Sequence, residues 1–88
     1  MSYLHYTVDA AAESTIRVNI VGQARVRLMD QLNYFKYKRG KACESVSEGV
    51  ADNSPVMLKP PYKGQWHIIV DTGGKSGDIK ASVETLDA

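Results

Sequence analysis

The residues best suited to chemistry in this chain form one stretch, Asn33-Tyr34-Phe35-Lys36-Tyr37-Lys38-Arg39-Gly40-Lys41. Aromatic faces stack on bases and sugars while Lys and Arg neutralise phosphates, so interleaving the two suits a single-stranded or other polyanionic ligand. Arg25 and Arg27 leave a neighbouring segment on its polar side and would extend the patch. The candidate ligand-binding set is therefore Arg25, Arg27, Asn33, Tyr34, Tyr37, Lys38, Arg39 and Lys41. The competing reading is that Tyr34 and Tyr37 cap the open end of the fold while the cations are simply solvated. A concave basic pocket lined by Tyr34, Tyr37 and Arg39 would favour the first reading; rings buried against a sheet would favour the second.

Other constellations carry less. His5 and His67 invite a metal or acid–base role, but zinc needs three or four converging ligands, and the chain has neither a cysteine pair nor histidines spaced i, i+4. Each histidine reads instead as a strand residue with a wet or hydrogen-bonded tip. Cys43, the single cysteine, excludes an internal disulfide, and as a nucleophile it would want an electropositive niche at a helix amino end that the sequence does not announce. Gly73-Gly74-Lys75-Ser76 echoes a phosphate-binding loop, yet Ile69 stands where that motif needs its first glycine and a strand follows rather than a helix. Its glycines read as turn positions. No spacing of titratable groups suits catalysis, so the expectation is a non-enzymatic protein with no cofactor and no metal.

These side chains must be positioned by strands. Tyr3 to Val8 alternates, with Leu4, Tyr6 and Val8 on one side. Ile16, Val18 and Ile20 alternate with Arg17 and Asn19, and Val26 and Leu28 with Arg25 and Arg27, around an expected two-residue turn at Gly22-Gln23. Asp9 to Glu13 is long enough for one helical turn at most. Asp30 to Asp52 breaks the rhythm and reads as a long irregular loop, with a short edge strand over Lys41 to Val46. Pro55 to Lys59 and the run from Gly64 to Asp71 follow. Trp66, Ile68 and Val70 share one face of that run; His67, Ile69 and Asp71 share the other, as in a central strand covered on both sides. The glycines at 73 and 74 predict a hairpin returning through Ile79, Ala81 and Val83. The expected fold is one all-β domain over residues 1–88, a β-sandwich or partly open barrel of six to seven mostly antiparallel strands.

Eleven Lys and Arg against ten Asp and Glu give a net charge of +1, which excludes a global basic field and leaves only local patches to attract a partner. The amino-terminal residues lack the basic start and apolar run of a signal peptide, and no segment approaches a membrane span. A cytoplasmic setting without membrane contact is expected.

Taken together, Tyr3-Leu4-His5-Tyr6, Val26-Arg27-Leu28-Met29-Asp30 with Asn33, Tyr37 and Gly40, Ser54-Pro55-Val56, and Gly64-Gln65-Trp66 through Val70-Asp71 to Gly73-Gly74 resemble a bacterial family of unknown function, DUF 1883, nearly end to end. The resemblance implies a compact all-β domain, found alone or attached to TIR domains, the NAD-cleaving or signalling modules of bacterial defence. It implies no activity, cofactor or catalytic residue, and with no TIR-like stretch among these 88 residues the expectation is a domain that acts alone or recruits a separate partner. Two functions follow as expectations. One is recognition of an anionic ligand, a nucleotide or nucleic acid, through the basic-aromatic stretch. The other is self-association or docking of a protein partner through a strand edge or the face that carries Ile69.

Overall fold

Period-two alternation is realised along most of the chain. The computed structural model describes residues 3–52, 55–71 and 80–86. Their order is β1 (Tyr3–Ala10), β2 (Thr15–Val21), β3 (Gln23–Met29), α1 (Gln31–Lys38), β4 (Ser47–Asp52), β5 (Pro55–Leu58), β6 (Gly64–Asp71) and β7 (Lys80–Leu86). Two antiparallel sheets stack face to face, one in the order β1-β6-β3-β4 and the other β5-β2-β7. This is an all-β sandwich and not a closed barrel.

The shared interior is made by the alternating apolar positions. Ile16, Val18, Val26, Trp66, Ile68 and Val70 are completely buried, and Leu28, Leu58 and Ala51 nearly or fully so. Removing such side chains from water at about 25 cal/mol per Å² is the main term holding a sandwich together. Trp66 needs a partner for its indole N–H, and donates it to the Tyr62 carbonyl at 3.2 Å. Where β4 and β5 approach at the sandwich rim, a Cβ on Gly49 would stand 3.0 Å from a Val56 methyl, so a larger residue there would require the Val56 side chain to shift.

Strand pairing departs from the sequence expectation. Neither hairpin forms: β2 and β3 lie in different sheets, and so do β6 and β7. Gly22 alone separates β2 from β3, with φ +112, and one residue cannot make the two-residue turn that returns a strand beside its predecessor. It carries the chain across the sandwich instead. The glycine turn at 73–74, the lysine and serine after it, and Ile79 lie outside the described residues.

The second departure is α1. The long loop expected over Asp30 to Asp52 contains an eight-residue helix, and the edge strand expected over Lys41 to Val46 is displaced to β4 at Ser47–Asp52. Both ends of the helix are capped. Asp30 Oδ1 accepts the Asn33 backbone N–H at 2.8 Å, which is an N-cap. At the other end Gly40, at φ +73, donates its N–H to Tyr37 O while Lys41 donates to Lys36 O, the paired bonds of a Schellman motif. Lys36 and Lys38 in the last turn suit the negative end of the helix dipole.

Candidate functional site

Helix α1 lies on the outer face of the four-stranded sheet, opposite the sandwich interior. Register fixes what it meets there. Tyr3, Asp71, Arg25 and Val50 form one row across the strands; His5, Ile69, Arg27 and Glu48 form the next; Thr7, His67 and Met29 form a third. Met29, Ile69 and Tyr34 make a second, smaller buried cluster, flanked by Tyr3, Tyr37 and Cys43.

The centre of this layer is a stack of three rings. His5 Nε2 and His67 Nδ1 are 2.8 Å apart, bridged by a hydrogen bond between neighbouring strands, and their rings are within 11° of parallel. Tyr34 covers both, its centroid 4.0 Å from His5 and 4.6 Å from His67, at interplanar angles of 13° and 6°. The imidazoles thus form a floor joined edge to edge, with the phenol ring as its roof. His5 keeps an exposed edge, yet the partial desolvation it meets against Tyr34 lowers its pKa below the ordinary value, and the neighbouring His67 and the Lys38 cation lower it further. Burial also lowers that of His67, with Asp30 acting in the opposite direction.

Around the stack, the other aromatic and charged groups are committed to one another. Tyr37 donates its hydroxyl to Asp71 at 3.3 Å and packs edge-on against Tyr3 at 5.1 Å. Burial raises the Tyr37 pKa, helped by the Asp71 charge and opposed by Arg27. The Arg27 guanidinium lies 5.8 Å from the Tyr37 ring centroid and 3.7 Å from Glu48. A hydrogen bond with Tyr34, then burial, raises the Tyr3 pKa. Lys38 stands 5.9 Å over the Tyr34 ring.

Each sequence-predicted site residue can now be placed. Tyr34 is buried at 8% exposure, so its ring is no open platform for a base. Tyr37 is half-buried and bonded to Asp71. Asn33 serves the fold: its backbone N–H and side-chain amide both bond Asp30, and its Oδ1 accepts the Glu44 N–H at 3.0 Å, which ties the following loop to α1. Arg27 joins the aromatic cluster, whereas Arg25 is exposed further along the sheet. Lys38, Arg39 and Lys41 are exposed at the end of the helix. His5, His67, Tyr3 and Asp71 are the residues that the candidate set omits. Their convergence depends on β1 pairing with β6, which no local pattern announces.

The surface above this layer is the outer side of α1. Leu32 and Phe35 are 63% and 44% exposed there, three residues apart and hence on one ridge. Helical spacing sets Lys36 four residues from Leu32, and Lys38 and Arg39 three and four from Phe35, with Lys41 just past the cap; no acidic residue occurs from Gln31 to Lys41. Beside the ridge an open depression of about 460 Å³ is lined by Asn33, Lys36, Ala42, Cys43 and Glu44. Among the described residues, no three His, Cys, Asp or Glu side chains gather as metal ligands would.

The model of a family described as a domain of unknown function, DUF1883, matches residues 1–88, the whole chain. The chain belongs to that family. Within this DUF1883 domain the layer just described joins residues from three of the stretches that carry the sequence resemblance, since Tyr3, His5, Arg27, Asp30, Asn33, Tyr37 and Asp71 all contribute to it. No curated protein and no solved structure matched the chain.

Proposed function

We propose that this domain is a non-enzymatic recognition module that docks an acidic, apolar-anchored segment of a partner protein onto the outer face of α1. The observation that carries the reading is the exposed Leu32–Phe35 ridge on a segment, Gln31 to Lys41, that carries Lys36, Lys38, Arg39 and Lys41 and no acid. Apolar side chains from a partner would supply the desolvated centre, and its Asp and Glu residues the rim that sets encounter rate and specificity.

This surface suits nucleic acid less well. Single-strand binding relies on aromatic faces free to stack. Tyr34 is spent on the histidines and Tyr37 on Asp71 and Tyr3, which leaves only Phe35. It also suits a second copy less well, because a two-fold dimer through α1 would set cations against cations. A separate protein remains the better occupant. The family resemblance makes TIR-type signalling proteins of a bacterial cytoplasm the first natural partners to try, a setting that agrees with the free thiol of Cys43.

Selection from a random-peptide display library tests this. The reading expects enriched peptides to combine Asp or Glu with Leu, Phe or Trp, to shift the amide NMR signals of α1, and to bind less tightly as salt is raised. Enrichment of peptides without acids, or binding that survives Leu32→Ser with Phe35→Ser, would refute it. So would tight binding of a thymidine oligonucleotide by a domain that enriches no peptide.

A further inference from the structure

The His5–His67 pair sits directly beneath the helix that carries the docking ridge, and its proton chemistry is unusually constrained. Four ring nitrogens are involved. Two of them, His5 Nε2 and His67 Nδ1, face each other across 2.8 Å and share one hydrogen. His67 Nε2 is buried and makes no hydrogen bond with any described residue. A buried N–H without an acceptor costs more than a buried lone pair. In the neutral pair the favoured arrangement is therefore His67 Nδ1–H donating to His5 Nε2, with the His5 hydrogen on Nδ1.

Now add one proton. If His5 becomes the cation, it must donate from Nε2, so the His67 hydrogen has to move to Nε2. If His67 becomes the cation, it carries hydrogens on both nitrogens. Either way, every protonated state that keeps the hydrogen bond puts an N–H on the buried His67 Nε2. The only escape is to set two N–H groups head to head and break the bond. A second proton forces that break and adds like-charge repulsion.

We propose that the histidine pair is an acid-sensitive latch that holds α1, and with it the docking ridge, against the outer face of the sheet. The proposal rests on the docking reading for its biological use but not for its physics. Every element around the pair contributes groups to the balance. Tyr34 and Lys38 face it from α1, and Asp30 from the helix start. Tyr3 bonds Tyr34 from β1, Arg27 and its partner Glu48 share the His5 row from β3 and β4, and Asp71 lies one row away, where it accepts from Tyr37. Asp30 is the one group that favours a charged His67, yet its Oδ1 already holds both donors of Asn33 at the N-cap. Protonation that drew Asp30 toward His67 would thus loosen the same helix.

The sign follows from linkage. Both histidines have folded pKa values below their ordinary 6.5, so the folded state binds fewer protons than the unfolded one as pH falls through that value. The stabilisation is complete above about pH 6.5 and is withdrawn progressively below it.

Residue-resolved amide exchange on the whole domain without any partner, between about pH 7.5 and pH 5.5, tests the latch. Corrected for intrinsic exchange chemistry, protection of α1 should fall below about pH 6.5, by up to about tenfold per unit for each proton taken up. Amides of Val18, Val26 and Val70 should keep their protection, and His5→Gln, which retains a polar partner for His67 but leaves only one ring to titrate, should weaken the α1 response to that of a single proton. The proposal is overturned if α1 protection is unchanged across the range, if α1 and the sandwich lose protection together, or if His5→Gln responds like the parent. Should that variant not fold, histidine ring NMR of the parent decides. Both rings should titrate below 6.5 with the Tyr34 ring signals moving in step; titration at or above that value, or a Tyr34 ring that does not respond, refutes the latch. A failed peptide selection leaves this result standing, and a pH-independent α1 leaves docking standing.

Discussion

On its inner face the β1-β6-β3-β4 sheet meets the second sheet through Trp66, Ile68, Val70, Val26 and Leu28, all entirely buried and almost all aliphatic. On its outer face the same strands meet α1 through Ile69, Met29 and a stack of His5, His67 and Tyr34. The inner layer is indifferent to pH and wide in area. The outer layer is small, ringed by polar groups and joined by hydrogen bonds whose strength depends on protonation. One sheet thus carries a layer that fixes the fold and a layer that can change state without destroying it, and the exposed ridge of Leu32 and Phe35 rides on the second.

Substitutions can break or sharpen this contrast. Trp66→Ala should be the most damaging, costing about 3–5 kcal/mol because it opens a cavity in the inner layer; urea denaturation should show the midpoint collapse or no folded baseline at all. Tyr34→Ala should cost about 2 kcal/mol in the same assay, because it removes the roof of the histidine stack while the sandwich stays closed. Equal losses for the two would mean that the layers are one cooperative unit. Asp30→Ala deletes the N-cap and should cost about 1 kcal/mol, with Asp30→Asn recovering most of it. Leu32→Ser with Phe35→Ser should be the mildest, changing stability by no more than about 0.5 kcal/mol while abolishing binding of any selected acidic peptide.

The inner layer was readable from the chain because one rule governs it. Side chains that alternate with period two must face opposite ways, so Ile16, Val18, Ile20, Val26, Leu28, Trp66, Ile68 and Val70 all point inward. That rule contains no information about which strand lies beside which. A glycine between two alternating runs serves a hairpin or a crossing between sheets equally well, and at Gly22 the decisive detail is the length of the link. Helix α1 was hidden because aromatic and basic residues alternate through it, which masks a 3.6-residue stripe. Its ends were legible in principle: Asp30 three residues before Asn33, and Gly40 just beyond Lys38 and Arg39, are ordinary cap signals. The histidine pair was beyond reach, since His5 and His67 meet diagonally across β1 and β6 and are 62 positions apart in the chain.

The separability of the two layers is tested most directly by residue-resolved amide exchange of Tyr34→Ala at neutral pH. The expected result is loss of protection confined to α1 and the loop that Asn33 ties to it, with the central amides of β2, β3 and β6 as protected as in the parent. Uniform loss of protection through both sheets, or an α1 that stays as protected without its tyrosine, would contradict it.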